Sequence, residues 1–170
     1  MRASSLETGI FFSKCTPFLK SIGIEIIFRK IDAISFLPGL LIENGHIIVD
    51  REKLLYPGDI LHEAGHIAVT PAIDRSFLND QKVLESKSRE TEEMMAIAWS
   101  YAACLFLELD PLIVFHASGY NGTGEGIMEN FQNGSFFGIP SLQWCGMTTE
   151  PGRSRNGEEV YPQMMKWLRD

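Results

Sequence analysis

His62 and His66 lie four positions apart in the stretch Ile60-Leu61-His62-Glu63-Ala64-Gly65-His66-Ile67-Ala68-Val69, with Asp59 ahead of it and Pro71 behind. Four residues make about one turn of α-helix, so a helix here stacks both imidazoles on one face. The other positions agree. Leu61, Ala64, Ile67 and Ala68 suit a buried face. Asp59 is expected to cap the free amides of the first turn, and the residue before Pro71 resists helical geometry. Any fold for this chain must bury one side of this helix while two imidazoles converge on a point.

Two neutral imidazole nitrogens so placed can hold one cation. Zinc accepts such donors at roughly 2.0–2.1 Å and, in catalytic sites, keeps a position open for water. Glu63, beside His62, is placed to flank the ion and take a proton from the polarised water. Ala64 and Gly65 are small and leave room for a metal.

Such a site needs a third protein ligand. A three-histidine arrangement would use position 72, which is Ala72, so that class is excluded. Asp74 is read as a loop residue. The remaining solution is a glutamate on a following helix, and the helix expected from Ser88 through Leu107 offers Glu90, Glu92 and Glu93. Glu93 is favoured, because Ala96, Ile97 and Ser100 share its face and the small ones permit a close approach to the histidine helix. Glu92 is its rival. Glu90 and Glu92 suit the solvent side of a first turn, where the helix dipole favours acids.

Around these helices the pattern is mixed. The first twenty residues suggest one or two short helices, with Pro17 starting the second. Residues 22–31, rich in isoleucine, read as a strand. Residues 39–50 place two apolar runs around Asn44-Gly45, the strongest hairpin signal in the chain. Residues 71–87 read as a mobile connection with a short helical piece between Phe77 and Leu84. A short helix is expected near Ile127 to Gln132, and before it Gly119 to Gly126 reads as a flexible loop, a candidate lid over a metal cleft. It carries no Gly-Lys-Ser/Thr and has Glu125 where a phosphate would be repelled, so it is not a nucleotide cradle. Residues 138–148 read as irregular, and residues 160–169 as a final helix. Helices and strands in separate runs indicate an α+β chain.

The formal net charge of −7 argues against nucleic-acid or anionic-membrane partners, which require basic surface. The longest apolar stretch, Met94 to Leu107, is 14 residues, short of the roughly 20 that span a bilayer. No signal peptide is expected. Cys15, Cys104 and Cys145 form no CxxC pair and are read as core residues in a reducing, cytoplasmic compartment. Trp99, Trp144 and the phenylalanines are also assigned to the core, and His46 to an exposed strand position.

His62-Glu63-Ala64-Gly65-His66, followed 27 residues later by Glu93 at the head of Glu93-Met94-Met95-Ala96, resembles the ImmA/IrrE-type minimal gluzincins. The resemblance covers roughly Leu40 to Leu107. The chain departs from that pattern at Ile97, where the family often has asparagine, and at Leu107-Glu108-Leu109-Asp110-Pro111. The chain's 170 residues suit a single domain. Residues 117–170, which lie outside the resemblance, are read as a loop-rich extension. The resemblance implies that this domain, 1–170, is zincin-like with its metal-site core at about 40–107. In that domain a β-hairpin or short antiparallel sheet packs on the HExxH helix and on a glutamate-bearing helix. It implies Zn2+ held by His62, His66 and Glu93, with Glu63 as the catalytic base of a peptide-hydrolysing enzyme acting on a peptide or protein substrate. Tyr120, His116 and Tyr101 are the chemical candidates for an oxyanion donor. The rival expectation is a non-proteolytic protein with a structural or regulatory zinc site.

Overall fold

The computed structural model describes residues 5–32, 35–154, 157 and 159–170. Helix α1 (Ser5–Ser21) runs unbroken through Pro17, where two short helices were the alternative. The missing proline amide costs one backbone bond. Packing offsets it, because Phe11, Cys15, Phe18 and Leu19 recur at helical spacing and are all buried.

Of the isoleucine-rich stretch, only Ile26–Phe28 forms a strand, β1. The residues before it end the helix instead, with the Ile24 amide donating back to the Leu19 carbonyl at 2.9 Å. Strands β2 (Leu40–Glu43) and β3 (His46–Val49) form the expected hairpin. Asn44 and Gly45 take positive φ of 53° and 72°, the backbone of a type I′ turn. The sheet order is β1-β3-β2. It is mixed rather than antiparallel, since β1 adds to β3 in parallel.

Helix α2 (Asp59–Val69) carries the histidines, and helix α5 (Arg89–Phe106) packs across it. Gly65 marks the crossing. A Cβ there would lie 2.8 Å from the Ala96 carbonyl oxygen and 3.1 Å from the Ala96 Cα. One turn on, the Ser100 hydroxyl donates to the Ala96 carbonyl at 2.6 Å and also reaches the Leu61 carbonyl at 3.3 Å. Small side chains thus bring the two helices together, as Ala96 and Ser100 suggested. Asp59 does not cap α2. The cap position is Gly58, and the Asp59 carboxylate instead accepts from His116 Nε2 at 2.9 Å.

The connection at 71–87 is ordered, containing α3 (Ala72–Arg75) and α4 (Asp80–Glu85). Two features dock it. Asp80 accepts the Ile42 amide at 2.6 Å, binding α4 to β2. Arg75 donates to the Ile67 and Thr70 carbonyls at 3.3 and 3.1 Å, satisfying acceptors that the end of α2 leaves open.

Beyond α5 come a 3-10 turn (Pro111–Ile113), a second one (Tyr120–Gly122), α6 (Gly124–Gln132) and α7 (Ile139–Trp144). Helix α7 falls in the stretch read as irregular, while residues 160–169 form no helix. Their polar groups bond across the fold instead. The Tyr161 hydroxyl donates to the Ala98 carbonyl at 2.8 Å, the Trp99 indole donates to the Trp167 carbonyl at 2.9 Å, and the Arg169 amide donates to the Ala68 carbonyl at 2.9 Å. Trp99 is fully buried but Trp144 is 90% exposed, because α7 turns its indole outward. Phe36, Phe77 and Phe106 are exposed as well. Cys15 and Cys104 are buried and Cys145 only partly so. Among the described residues no helix is long and apolar enough to cross a membrane.

Candidate metal centre

Helix α2 holds His62, Glu63 and His66 in place, and their ligand atoms all lie within 4.8 Å of one another. This His-Glu-His group can hold a metal ion. Helix α5 adds a carboxylate, since Glu93 stands one turn before Ala96, the residue that touches Gly65. His62 Nε2 and His66 Nε2 face each other at 3.2 Å. Glu93 presents one oxygen to each, Oε1 3.4 Å from His62 Nε2 and Oε2 3.2 Å from His66 Nε2. Glu92 turns away, its carboxylate accepting from the Ser88 hydroxyl at 2.7 Å, and Glu90 is exposed. Asp74 falls in the short helix α3.

These separations test the fit of a cation. Four donors arranged tetrahedrally at roughly 2.0–2.1 Å from zinc stand about 3.3–3.4 Å apart. The two imidazole nitrogens, 3.2 Å apart, lie close to that spacing, and each faces a different oxygen of Glu93, at 3.4 Å for His62 and 3.2 Å for His66. Two imidazole nitrogens and a carboxylate oxygen are also a donor set that zinc accepts. The residues fit.

Burial and the neighbouring charges act differently on each member of the cluster. Burial pushes His62 down to about 3, with His66 adding to the fall and Glu93 opposing it, so this imidazole is neutral. Burial acts the same way on His66, but the hydrogen bond with Glu93 and the carboxylates of Glu63, Glu93 and Glu92 outweigh it, and its direction is upward. Burial would raise Glu93, yet its bond to His66 and the nearby charges of His62, His66 and Arg89 bring it down to about 2. Burial lifts Glu63 to about 7; His66 opposes this, and Asp80, Asp59 and Glu93 reinforce it.

A loop residue completes the surroundings. The Tyr120 hydroxyl is hydrogen bonded to His62 Nδ1 at 3.0 Å. The other oxyanion candidates lie elsewhere. His116 pairs with Asp59 and stacks on Tyr56 at 3.9 Å between ring centroids. Tyr101 is buried against Phe131, with ring centroids 4.9 Å apart. The Asp59–His116–Tyr56 cluster had no signal in the sequence, because its members come from separate segments. His46 sits at the start of β3, paired with Glu43, and is partly buried rather than exposed.

Comparisons with protein-family models, with curated proteins and with solved structures return no match.

Proposed function

We propose that the chain is a zinc-dependent hydrolase that cleaves peptide bonds, with His62, His66 and Glu93 as metal ligands and Glu63 as general base. The observation that carries this reading is the convergence of His62 Nε2, His66 Nε2 and the Glu93 carboxylate at 3.2–3.4 Å, with Glu63 on the same helix. Zinc, when bound, polarises the scissile carbonyl and makes water a better nucleophile near neutral pH.

The protein's own groups do the rest. Glu63 accepts a proton from the attacking water as the carbon–oxygen bond forms. It then passes that proton to the amine nitrogen as the carbon–nitrogen bond breaks. With the ion bound, His62 and His66 would serve as neutral nitrogen donors, the proton that Glu93 favours on His66 giving way to the metal, and Glu93 would supply negative charge to balance the ion. The resemblance to the minimal gluzincins agrees with this division of roles and with a cytoplasmic enzyme, and the chain's small size suits action on one flexible protein segment.

A second reading has one observation in its favour. The candidate ligands tie α2 to α5, and the His62 ring also meets the Tyr120 loop. A metal there would brace three elements, as a structural or regulatory site does. One experiment separates the two. Zinc-loaded wild type and Glu63→Gln are assayed against a broad peptide library, with zinc content measured in parallel. The enzyme reading expects cleavage by wild type only, with equal zinc in both. Equal zinc and no cleavage by either favours the bracing role.

A further inference from the structure

We infer that Tyr120 is a positioning residue for the metal centre: its hydroxyl accepts the Nδ1 hydrogen of His62 and thereby fixes the tautomer that presents Nε2 to the cation. This inference rests on the metal reading above.

A neutral imidazole has one N–H and one lone pair. His62 Nε2 faces His66 Nε2 at 3.2 Å and Glu93 Oε1 at 3.4 Å, so the lone pair that a metal needs is on Nε2. The hydrogen must then sit on Nδ1, which lies 3.0 Å from the Tyr120 hydroxyl oxygen. The opposite arrangement, with Tyr120 donating to Nδ1, would put a hydrogen on Nε2 among the other donors and exclude the ion. Ligating histidines usually need such a partner on the far nitrogen, which holds the ring and raises its basicity.

The local backbone is built around this contact. Tyr120 has φ of 51°, an uncommon conformation for a residue with a side chain, which persists only where its surroundings enforce it. The Thr123 hydroxyl donates to the Tyr120 carbonyl at 2.6 Å, and the Tyr120 ring rests on Phe115 with centroids 5.4 Å apart. The ring also meets His62 nearly edge-on, at 81°. The loop read from sequence as a free lid thus supplies a partner to a ligand.

The test compares wild type with Tyr120→Phe, which keeps the ring and its packing and removes only the oxygen. Zinc affinity, measured by chelator competition, is expected to fall roughly 10–100-fold, the usual cost of losing such a partner, while the melting temperature of the metal-free protein falls by only a few degrees, the size expected for one lost hydrogen bond. Nitrogen-15 NMR of the zinc-loaded wild type should show a slowly exchanging proton on His62 Nδ1, and the variant should lose that protection. Unchanged zinc affinity in the variant overturns the inference, as does a wild-type His62 protonated on Nε2. Failure of the wild type to bind zinc overturns the metal reading itself.

Discussion

Gly65 of α2 sits against Ala96 of α5 so closely that a Cβ on Gly65 would fall 2.8 Å from the Ala96 carbonyl oxygen. This crossing sets how near Glu93 comes to the two histidines, because all three side chains lie within a turn of it. Alanine in a helix interior is favoured over glycine by about 1 kcal/mol, whereas overpacking costs typically 1–3 kcal/mol. The obstacle here is backbone, so overpacking wins. Gly65→Ala is expected to lose roughly 1 kcal/mol and to bind zinc more weakly, as read by thermal melting and chelator competition. Ala96→Gly should not rescue it, since the obstructing atoms are the Ala96 carbonyl oxygen and Cα. Unchanged melting and zinc binding in Gly65→Ala would show that the helices have slack.

The last residues are fastened by tertiary hydrogen bonds. Tyr161 is buried and its hydroxyl donates to the Ala98 carbonyl at 2.8 Å inside α5. Tyr161→Phe removes that donor, while the Ala98 carbonyl keeps its place in the α5 ladder, for an expected loss of about 1 kcal/mol in denaturant unfolding. An unchanged midpoint would mean that the segment does not seal the core.

Acid sensitivity should be traceable to Asp50. Its carboxylate accepts the Ile31 amide at 3.0 Å and the Glu52 amide at 3.1 Å. The Ile31 bond first, then the Glu52 amide and the Lys53 charge, hold it below its ordinary value despite burial. A carboxylate lowered on folding stabilises fully above its unfolded value, near 4, and that stability is lost as pH falls through the folded value. Asp50→Asn should therefore be less stable than wild type at neutral pH, with the gap closing toward pH 2–3. A gap that stays constant with pH contradicts this assignment.

Thiol reactivity should split the cysteines. Burial pushes both Cys15 and Cys104 up, away from the reactive thiolate, and Cys145 is only partly buried. In a timed alkylation read by mass spectrometry, Cys145 should react first and the other two only with unfolding. Early modification of Cys104 would mean that α5 opens readily.

Local patterns were legible in the sequence wherever a short stretch carries its own instruction. Asn44-Gly45 dictates its turn, and the spacing of His62 and His66 dictates a shared helix face. Ala96 and Ser100 disclosed the close crossing because small residues on one face have few other uses. Long-range pairings were not legible. Tyr120 reaches His62 across 58 positions, and nothing near Tyr120 announces that contact. The C-terminal stretch has helix-forming residues, yet its backbone groups find partners on Met147 and Thr149 instead. Trp144 shows the same limit, since composition says that tryptophan is buried and only the setting of α7 says that this one is not. Asp59 reads locally as a helix cap, and His116, which claims it, lies 57 positions away.

In the function proposed, His62, His66 and Glu93 bind one zinc ion together. Equilibrium zinc titration of wild type, Glu93→Ala and Glu92→Ala tests it directly. One equivalent should bind wild type and Glu92→Ala alike, and Glu93→Ala should lose more affinity than the roughly 10–100-fold that an outer-shell change costs. Zinc retained by Glu93→Ala, or no stoichiometric zinc on the wild type, would contradict the account.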